Sequence, residues 1–408
     1  MIVHGQTDLE TSTHFMKDSM HSVLINIRGN YFFASDAIIN EFASHYYLGK
    51  FIDEELKDNV TKNLSSMNKF GGQALWDVSA TFHPDTGNHK VEAYVAFRNR
   101  VHTSARFPKD LFEVFFRGNK MFAGQTADLS DFSFQKFTYR QFVFGLGNEF
   151  RISDESKLYL GANLAINLGI EFLDVRTDHA SLYTASDGEF LYADFHATIQ
   201  TDDSAGQHPS KLDGSGYSGD FYLEYETEKS LLSFSVENYG SIVWNKWSTT
   251  ITLDTSFNFE GIDVKDLFDF EDSIRITGAD LDSIYYQNFV QDRKEERITT
   301  MLPMKISGMY THYFNNRTLA ATVGADVLLH TNAENRYYAG VSYKISRTNQ
   351  LGLNVATGGY TSFHMGLGYT HWFPWDVKFE IGSHYLYPMI TYKTGKSQGA
   401  YLSLSKSF

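Results

Sequence analysis

The sequence predicts an all-β fold: a transmembrane antiparallel β-barrel of about 14 strands, within a range of roughly 12 to 16, with a partly helical N-terminal segment. Three observations predict it. The first is strict alternation around Gln141–Phe172. There Phe142, Phe144, Leu146 and Phe150, then Leu158 through Phe172 at every second residue, share one wall, while Gln141, Gly145, Glu149, Asn163, Asn167 and Glu171 share the other. Side chains of a strand point alternately to opposite faces, so this is a hairpin with one apolar and one polar wall. The second is length, since the alternating runs last about ten residues, the span of a tilted membrane-crossing strand. The third is composition. With 34 Phe, 25 Tyr and 5 Trp the chain is rich in aromatics, yet mean hydropathy is only −0.32, and no run is long enough for a spanning helix. A barrel needs only every second residue apolar.

The 408 residues would ordinarily suggest two or three soluble domains, but a barrel grows around its circumference. The absence of cysteine fits an extracytoplasmic barrel without disulfides, and only 6 prolines interrupt the ladders. A net charge of −14 excludes nucleic acid as a partner, because its phosphates would be repelled.

In chain order, Val3-x-Gly5 before Gln6 has the small residues of a secretory cleavage site. Residues 1–5 therefore read as a signal-peptide remnant. Residues 6–73 form an N-terminal plug or cap segment: Val23, Ile25 and Ile27 suit one strand, but Ser35–Tyr47 and Phe51–Met67 have helical spacing, and Gly71-Gly72 punctuates a change of period. The barrel occupies residues 74–408. Trp76, Val78, Ala80 and Phe82 alternate outward, a turn at Pro84–Asn88 follows, and Val91, Ala93, Val95 and Phe97 return. Pro108 and Gly118 bracket a short helix, which must lie off the lipid face. Long surface excursions fall near 173–216 and 248–297, the second strongly acidic, with a tight turn at Thr227–Ser230 between them. Trp244 and Trp247 suit an interfacial aromatic girdle. From Leu302 the chain is nearly continuous barrel, ending on Ala400, Leu402, Leu404 and Phe408. Both ends on one side of the membrane require an even number of strands.

A strand ending near Arg98 to Arg106, then Pro108-Lys109-Asp110-Leu111, Gly118-Asn119, Gly124, Tyr139-Arg140-Gln141-Phe142-Val143-Phe144-Gly145 and Phe259-Glu260-Gly261-Ile262-Asp263 occur in this order. Together they resemble an uncharacterised family of Bacteroidota outer-membrane β-barrels, a domain of unknown function distantly similar to fatty-acid-transporter-like barrels. Where members commonly carry Asn-Pro-Ala, this chain has Asn26-Ile27-Arg28. The resemblance implies the outer membrane of a Gram-negative bacterium, reached by a signal peptide missing from this sequence, and brings no activity.

No catalytic, cofactor-binding or metal-binding residues stand out. The acidic excursion lacks calcium-loop spacing and reads as solvated surface. His364 and His384 face the lumen without a Ser and an acid beside them, so no enzyme is expected and an outer-membrane hydrolase is the remotest reading. Alternation places Glu149, Arg151, Glu171, Asp220, Glu224, Lys305, Asp326 and Lys344 on the lumen wall, where scattered charges of mixed sign suit either a selective pore or a filled interior. Ser204, Ser273 and Ser283 sit in Asp-Ser-aliphatic tripeptides that resemble O-glycosylation acceptors of the same bacterial group.

Two roles follow. The long acidic excursions and the helical segment favour a membrane-embedded subunit or docking platform of a multi-protein envelope complex, with protein partners at the surface loops or periplasmic side. The alternative is a plugged diffusion channel or transporter for a hydrophobic or small polar solute. The lipid bilayer is a partner in both.

Overall fold

The computed structural model describes residues 22–83, 90–202, 213–259 and 292–408. The turn at Pro84–Asn88, the signal-peptide remnant, most of the acidic excursion and all three glycosylation candidates, Ser204, Ser273 and Ser283, lie outside the described residues.

The strands are β1 (Val23–Ser35), β2 (Met67–Phe82), β3 (Lys90–Pro108), β4 (Gln125–Asp128), β5 (Ser133–Arg151), β6 (Ser156–Thr184), β7 (Leu191–Thr201), β8 (Gly214–Thr227), β9 (Ser230–Trp244) and β10 (Thr249–Phe259). They continue as β11 (Asp292–Glu295), β12 (Thr299–Met301), β13 (Met304–Phe314), β14 (Leu319–Leu329), β15 (Glu334–Lys344), β16 (Asn349–Gly359), β17 (Thr361–Phe373), β18 (Val377–Ser383) and β19 (Ser397–Ser407). Setting aside the five strands β4, β7, β10, β11 and β12 leaves 14 of the 19 described, and these pair antiparallel in sequence order into a ring that β19 closes on β1.

The alternation sets the two faces. On β6, Leu164 and Ile166 are exposed while Asn163, Ala165 and Asn167 are buried. Exposed apolar residues continue around the ring as Phe144 on β5, Phe221 on β8, Phe234 on β9, Val323 on β14, Leu353 on β16 and Leu404 on β19. An aqueous solvent would not favour such a girth of Leu, Val and Phe, whereas lipid tails do. The protein is an outer-membrane barrel, embedded in the lipid bilayer.

The two ends differ. Short connections at 151–156, 227–230, 314–319, 344–349 and 373–377 share one end with Ser22 and Phe408, whose backbones are hydrogen-bonded at 2.9 Å. Exposed Phe150, Phe314, Tyr343, Phe373 and Phe408 ring that end, as an interfacial aromatic girdle does. By the usual asymmetry of such barrels this is the periplasmic end, and the long connections face outward.

Four differences from the sequence reading have physical causes. The barrel begins at Val23 rather than Ala74: Ile25 and Ile27 face lipid, while Asn26 and Arg28 are buried toward the lumen, so residues 23–35 and 67–82 are wall. Gly71-Gly72 lies inside β2, where a side chain on Gly71 would collide with the Tyr360 ring. Trp244 belongs to no girdle: it is 1% exposed, packed against Phe172 with ring centroids 4.4 Å apart and planes tilted by 30°, and its Nε1–H donates to Thr300 Oγ1 at 2.8 Å. Leu302, from which the sequence reads as nearly continuous barrel, instead joins the same buried cluster, in the break between β12 and β13.

Among the described residues of the N-terminal segment, 36–66 leave the wall, and they do so at the outer end. They carry helices α1 (Asn40–Tyr47) and α2 (Glu54–Thr61), the second capped by Asp53, whose Oδ1 accepts from Leu56 N at 2.9 Å. Helix α3 (Lys109–Arg117), ended by Gly118 at φ 84°, packs with them through Ile39, Phe42, Leu56, Val60, Phe107 and Phe112. Arg117 adds ion pairs to Asp58 and Glu54 at 2.6 and 3.4 Å. Residues 36–66 thus pack with α3 at the outer end of the barrel.

The two long excursions are knitted together. Beyond its partner β8, β6 continues to Thr184 and pairs with β7, β7 pairs with β10, and β10 with β11, making a sheet that rises from the outer end.

Candidate functional site

The inner wall carries charge because its polar parity must be satisfied inside a ring of lipid-facing residues. On β1, β2, β3 and β8, the buried residues Arg28, Asp77, Arg98 and Asp220 form one chain of contacts. Arg28 Nε donates to Asp77 Oδ2 at 2.6 Å, Arg98 Nε lies 3.7 Å from the same oxygen, and Arg98 Nη1 lies 3.4 Å from Asp220 Oδ2. Asn163 and the backbone amide of Asn238 also donate to Asp220, at 3.2 and 2.9 Å. Asn238 adopts φ 59° at an irregularity of β9 that turns its side chain inward, where it accepts from Gln141 Nε2 at 3.3 Å. An open aqueous lumen would leave these groups wet. Arg98 is instead 2% exposed.

The outer half of the lumen holds two adjoining cavities. One, of about 100 Å³, is lined by Lys305, Arg336, Tyr360, His364, His384 and Tyr385 among others. The second, of about 90 Å³, adds Arg100, His102, Tyr139, Glu237 and Asn238. Phe32, Gln73, Lys305, Leu328 and Tyr360 border both. Gln73 on β2 and Lys305 on β13 stand six strands apart around the ring, so facing walls converge here.

Above them the mouth is narrowed. The β14–β15 connection crosses to the opposite wall, where Asn332 N donates to Ser104 Oγ at 2.7 Å and Ser133 Oγ to Asn332 Oδ1 at 3.1 Å. Beside it Asp36 accepts from Lys69 N at 2.9 Å, and its carbonyl accepts from Lys396 Nζ at 2.5 Å. Burial pushes the Asp36 carboxyl above its ordinary range and the Lys396 amine below its own. A raised folded-state pKa contributes stability that is complete below the unfolded value of about 3.9 and is lost as pH rises through the folded value. Asp36→Asn keeps an oxygen for Lys69 N, so it is expected to raise the melting temperature at neutral pH and leave it unchanged below about pH 4, as thermal scans at the two pH values will show.

The eight lumen-wall candidates fall into three groups. Asp220, Glu224, Lys305 and Asp326 are buried. Lys305 pairs with Glu237 at 3.2 Å, and Asp326 accepts from Arg336 Nε at 2.8 Å and Ser307 Oγ at 2.7 Å. Glu149 and Lys344 are half-buried at the short-turn end, Glu149 with Lys157 at 3.1 Å, and Arg151 is exposed there beside Asp154. Glu171 lies at the outer end, with Lys136 at 2.6 Å. Only Lys305 borders the cavities. Absent from that set were Arg28, Asp77, Arg98, Arg100 and Arg336; for Arg98 the signal was parity, since it alternates with Val95 and Phe97 once β3 is allowed its full 19 residues. His364 and His384, read as isolated, border one cavity, and among the described residues no group of His, Cys, Asp or Glu could hold a metal ion.

A family model matches residues 19–375, which include the ion-paired layer and the smaller cavity but not His384, Tyr385 or Tyr401 of the larger one. The chain belongs to the family of unknown function DUF5723. No curated protein matches it. Among solved structures the family member is similar to a deletion mutant of TodX, described as a monoaromatic hydrocarbon channel (9% identity, TM-score 0.46, covering 95% of this chain and 91% of that one). It is also similar to the Pseudomonas putida toluene transporter TodX (10%, TM-score 0.41, 95% and 90%) and to a Pseudomonas aeruginosa FadL homologue (11%, TM-score 0.41, 95% and 90%).

Proposed function

We propose that this barrel is a gated diffusion channel or transporter for a small hydrophobic or polar solute, rather than first of all a docking platform. The observation that supports this is the pair of adjoining cavities on the outer side of a buried, ion-paired layer. A purely structural barrel gains nothing from unfilled space, which forfeits packing contacts. A solute would enter from the outer end, rest in the cavities and pass only when the layer of Arg28, Asp77, Arg98 and Asp220 rearranges. No covalent chemistry is needed. The expected result in proteoliposomes is saturable uptake of small solutes, with little steady ion conductance in planar bilayers. Failure to pass any small solute overturns the reading.

The docking role keeps one observation in its favour. Tyr46, Tyr47, Leu48, Phe51 and Phe115 are exposed on the helical cap, away from the lipid belt, and such clusters mark interaction surfaces. Fixed partners that co-purify in mild detergent, and are lost with Phe51→Ser and Tyr47→Ser, would support it.

A further inference from the structure

The cavities have a chemical bias that the channel reading leaves open. The chain as a whole is acidic, at −14. The larger cavity nevertheless has Lys305, Arg336, His364 and His384 on its wall and no carboxylate among its lining residues. The smaller one contributes Arg100 and His102 against a single acid, Glu237. Even with buried Asp326 counted beside Arg336, the set holds three permanent cations to two carboxylates. In a water-poor interior a fixed excess of positive charge is felt strongly, and walls of low dielectric focus it on whatever enters.

The other wall is made of rings. Phe32 and Tyr385 have centroids 5.8 Å apart, His364 and Tyr385 4.7 Å, and His384 and Tyr401 5.1 Å. Flat faces of this kind favour a flat guest, by stacking or edge contact. At on the order of 10–15 Å³ per water, the larger cavity of about 100 Å³ suits a molecule of one ring rather than a lipid chain.

We propose that the adjoining cavities bind a small planar organic anion of the single-ring carboxylate class, its ring against Tyr385 and Tyr360 and its carboxylate toward Lys305 and Arg336. The assignment rests on the channel reading for its purpose, since it names the class of solute that the barrel would admit. Arg336 and Lys305 stand on β15 and β13, two strands apart, each beside its own carboxylate, Asp326 at 2.8 Å and Glu237 at 3.2 Å, so a guest carboxylate would add a further oxygen to cations the wall already pairs.

The test uses the full-length barrel in nanodiscs and three probes of one shape: benzoate, its neutral isostere benzamide, and the cation benzylammonium. Calorimetric titration is expected to show benzoate binding roughly tenfold tighter than benzamide, the factor that one charge-assisted contact supplies, with no heat from benzylammonium. Added salt should weaken only the benzoate isotherm. Lys305→Gln should lower benzoate affinity by a similar factor and leave benzamide unchanged, with retained heat-modifiable mobility showing that the barrel has folded. Should that variant fail to fold, the three-probe comparison on the unaltered protein decides alone. Benzamide binding as tightly as benzoate, or no binding of any probe, overturns the proposal. Benzoate binding without uptake of any solute would overturn the channel reading and leave this assignment standing, whereas uptake of neutral solutes with no preference for benzoate would do the reverse.

Discussion

Replacing Arg98 by leucine is expected to cost the folded barrel about 3–5 kcal/mol, the toll of removing one partner from a buried charge pair. The side chain lies between Asp77 and Asp220, 3.7 and 3.4 Å away, and both carboxylates are buried. Without the guanidinium, Asp77 keeps Arg28 but Asp220 loses its cation in a dry interior, and desolvation then works against the fold. Urea titration in nanodiscs, followed by tryptophan fluorescence, reads the loss as a lowered midpoint. A double change, Arg98→Leu with Asp220→Asn, should recover part of it, because the asparagine still accepts from the amide of Asn238 and leaves one uncompensated charge fewer. A loss below about 1 kcal/mol would mean that water reaches this layer, and the closed lumen would go with it.

Leu164→Arg is expected to destabilise by about 2–4 kcal/mol, the range for a guanidinium at mid-depth on a lipid face. Leu164 stands beside Phe144 on the apolar belt, well along β6 from the turn at 151–156. The same change at Phe150, in the aromatic ring at the periplasmic end, should cost only about 0–1 kcal/mol, because an arginine there can reach the interface. Equal costs at the two positions would contradict the placement of the membrane. Refolding titrations from urea into lipid vesicles measure both.

How far the sequence spoke depended on whether a signal was local. The faces of β5 and β6 were legible because parity is a property of neighbouring residues, and Phe142, Phe144 and Leu146 do face outward. The tight turn between Thr227 and Ser230 was legible for the same reason. Strand number followed from counting such runs. Val23–Ser35 was harder to read, because its return strand begins beyond two helices and carries glycines that no local rule explains. Gly71 is explained only by Tyr360, from a connection almost three hundred residues away in sequence. Partners across the lumen were out of reach for a related reason. Parity says that Arg98 and Asp220 both face inward, but which inward residues meet depends on the stagger of strands three places apart around the ring. Trp244 misled because an aromatic residue near a strand end suits an interface and a buried cluster equally well.

Closure of the ring has a consequence for biogenesis. The first strand is zipped to the last, with Leu24 opposite Ser407 and Ala34 opposite Ser397. Until β19 has been synthesised and exported, β1 therefore has one edge with nothing to bond to, and so does β18. Unpaired edges of this kind invite aggregation, so the chain must be escorted across the periplasm as an unclosed polypeptide and seal only on insertion. Deletion of β19 alone should therefore be as damaging to assembly as much larger deletions.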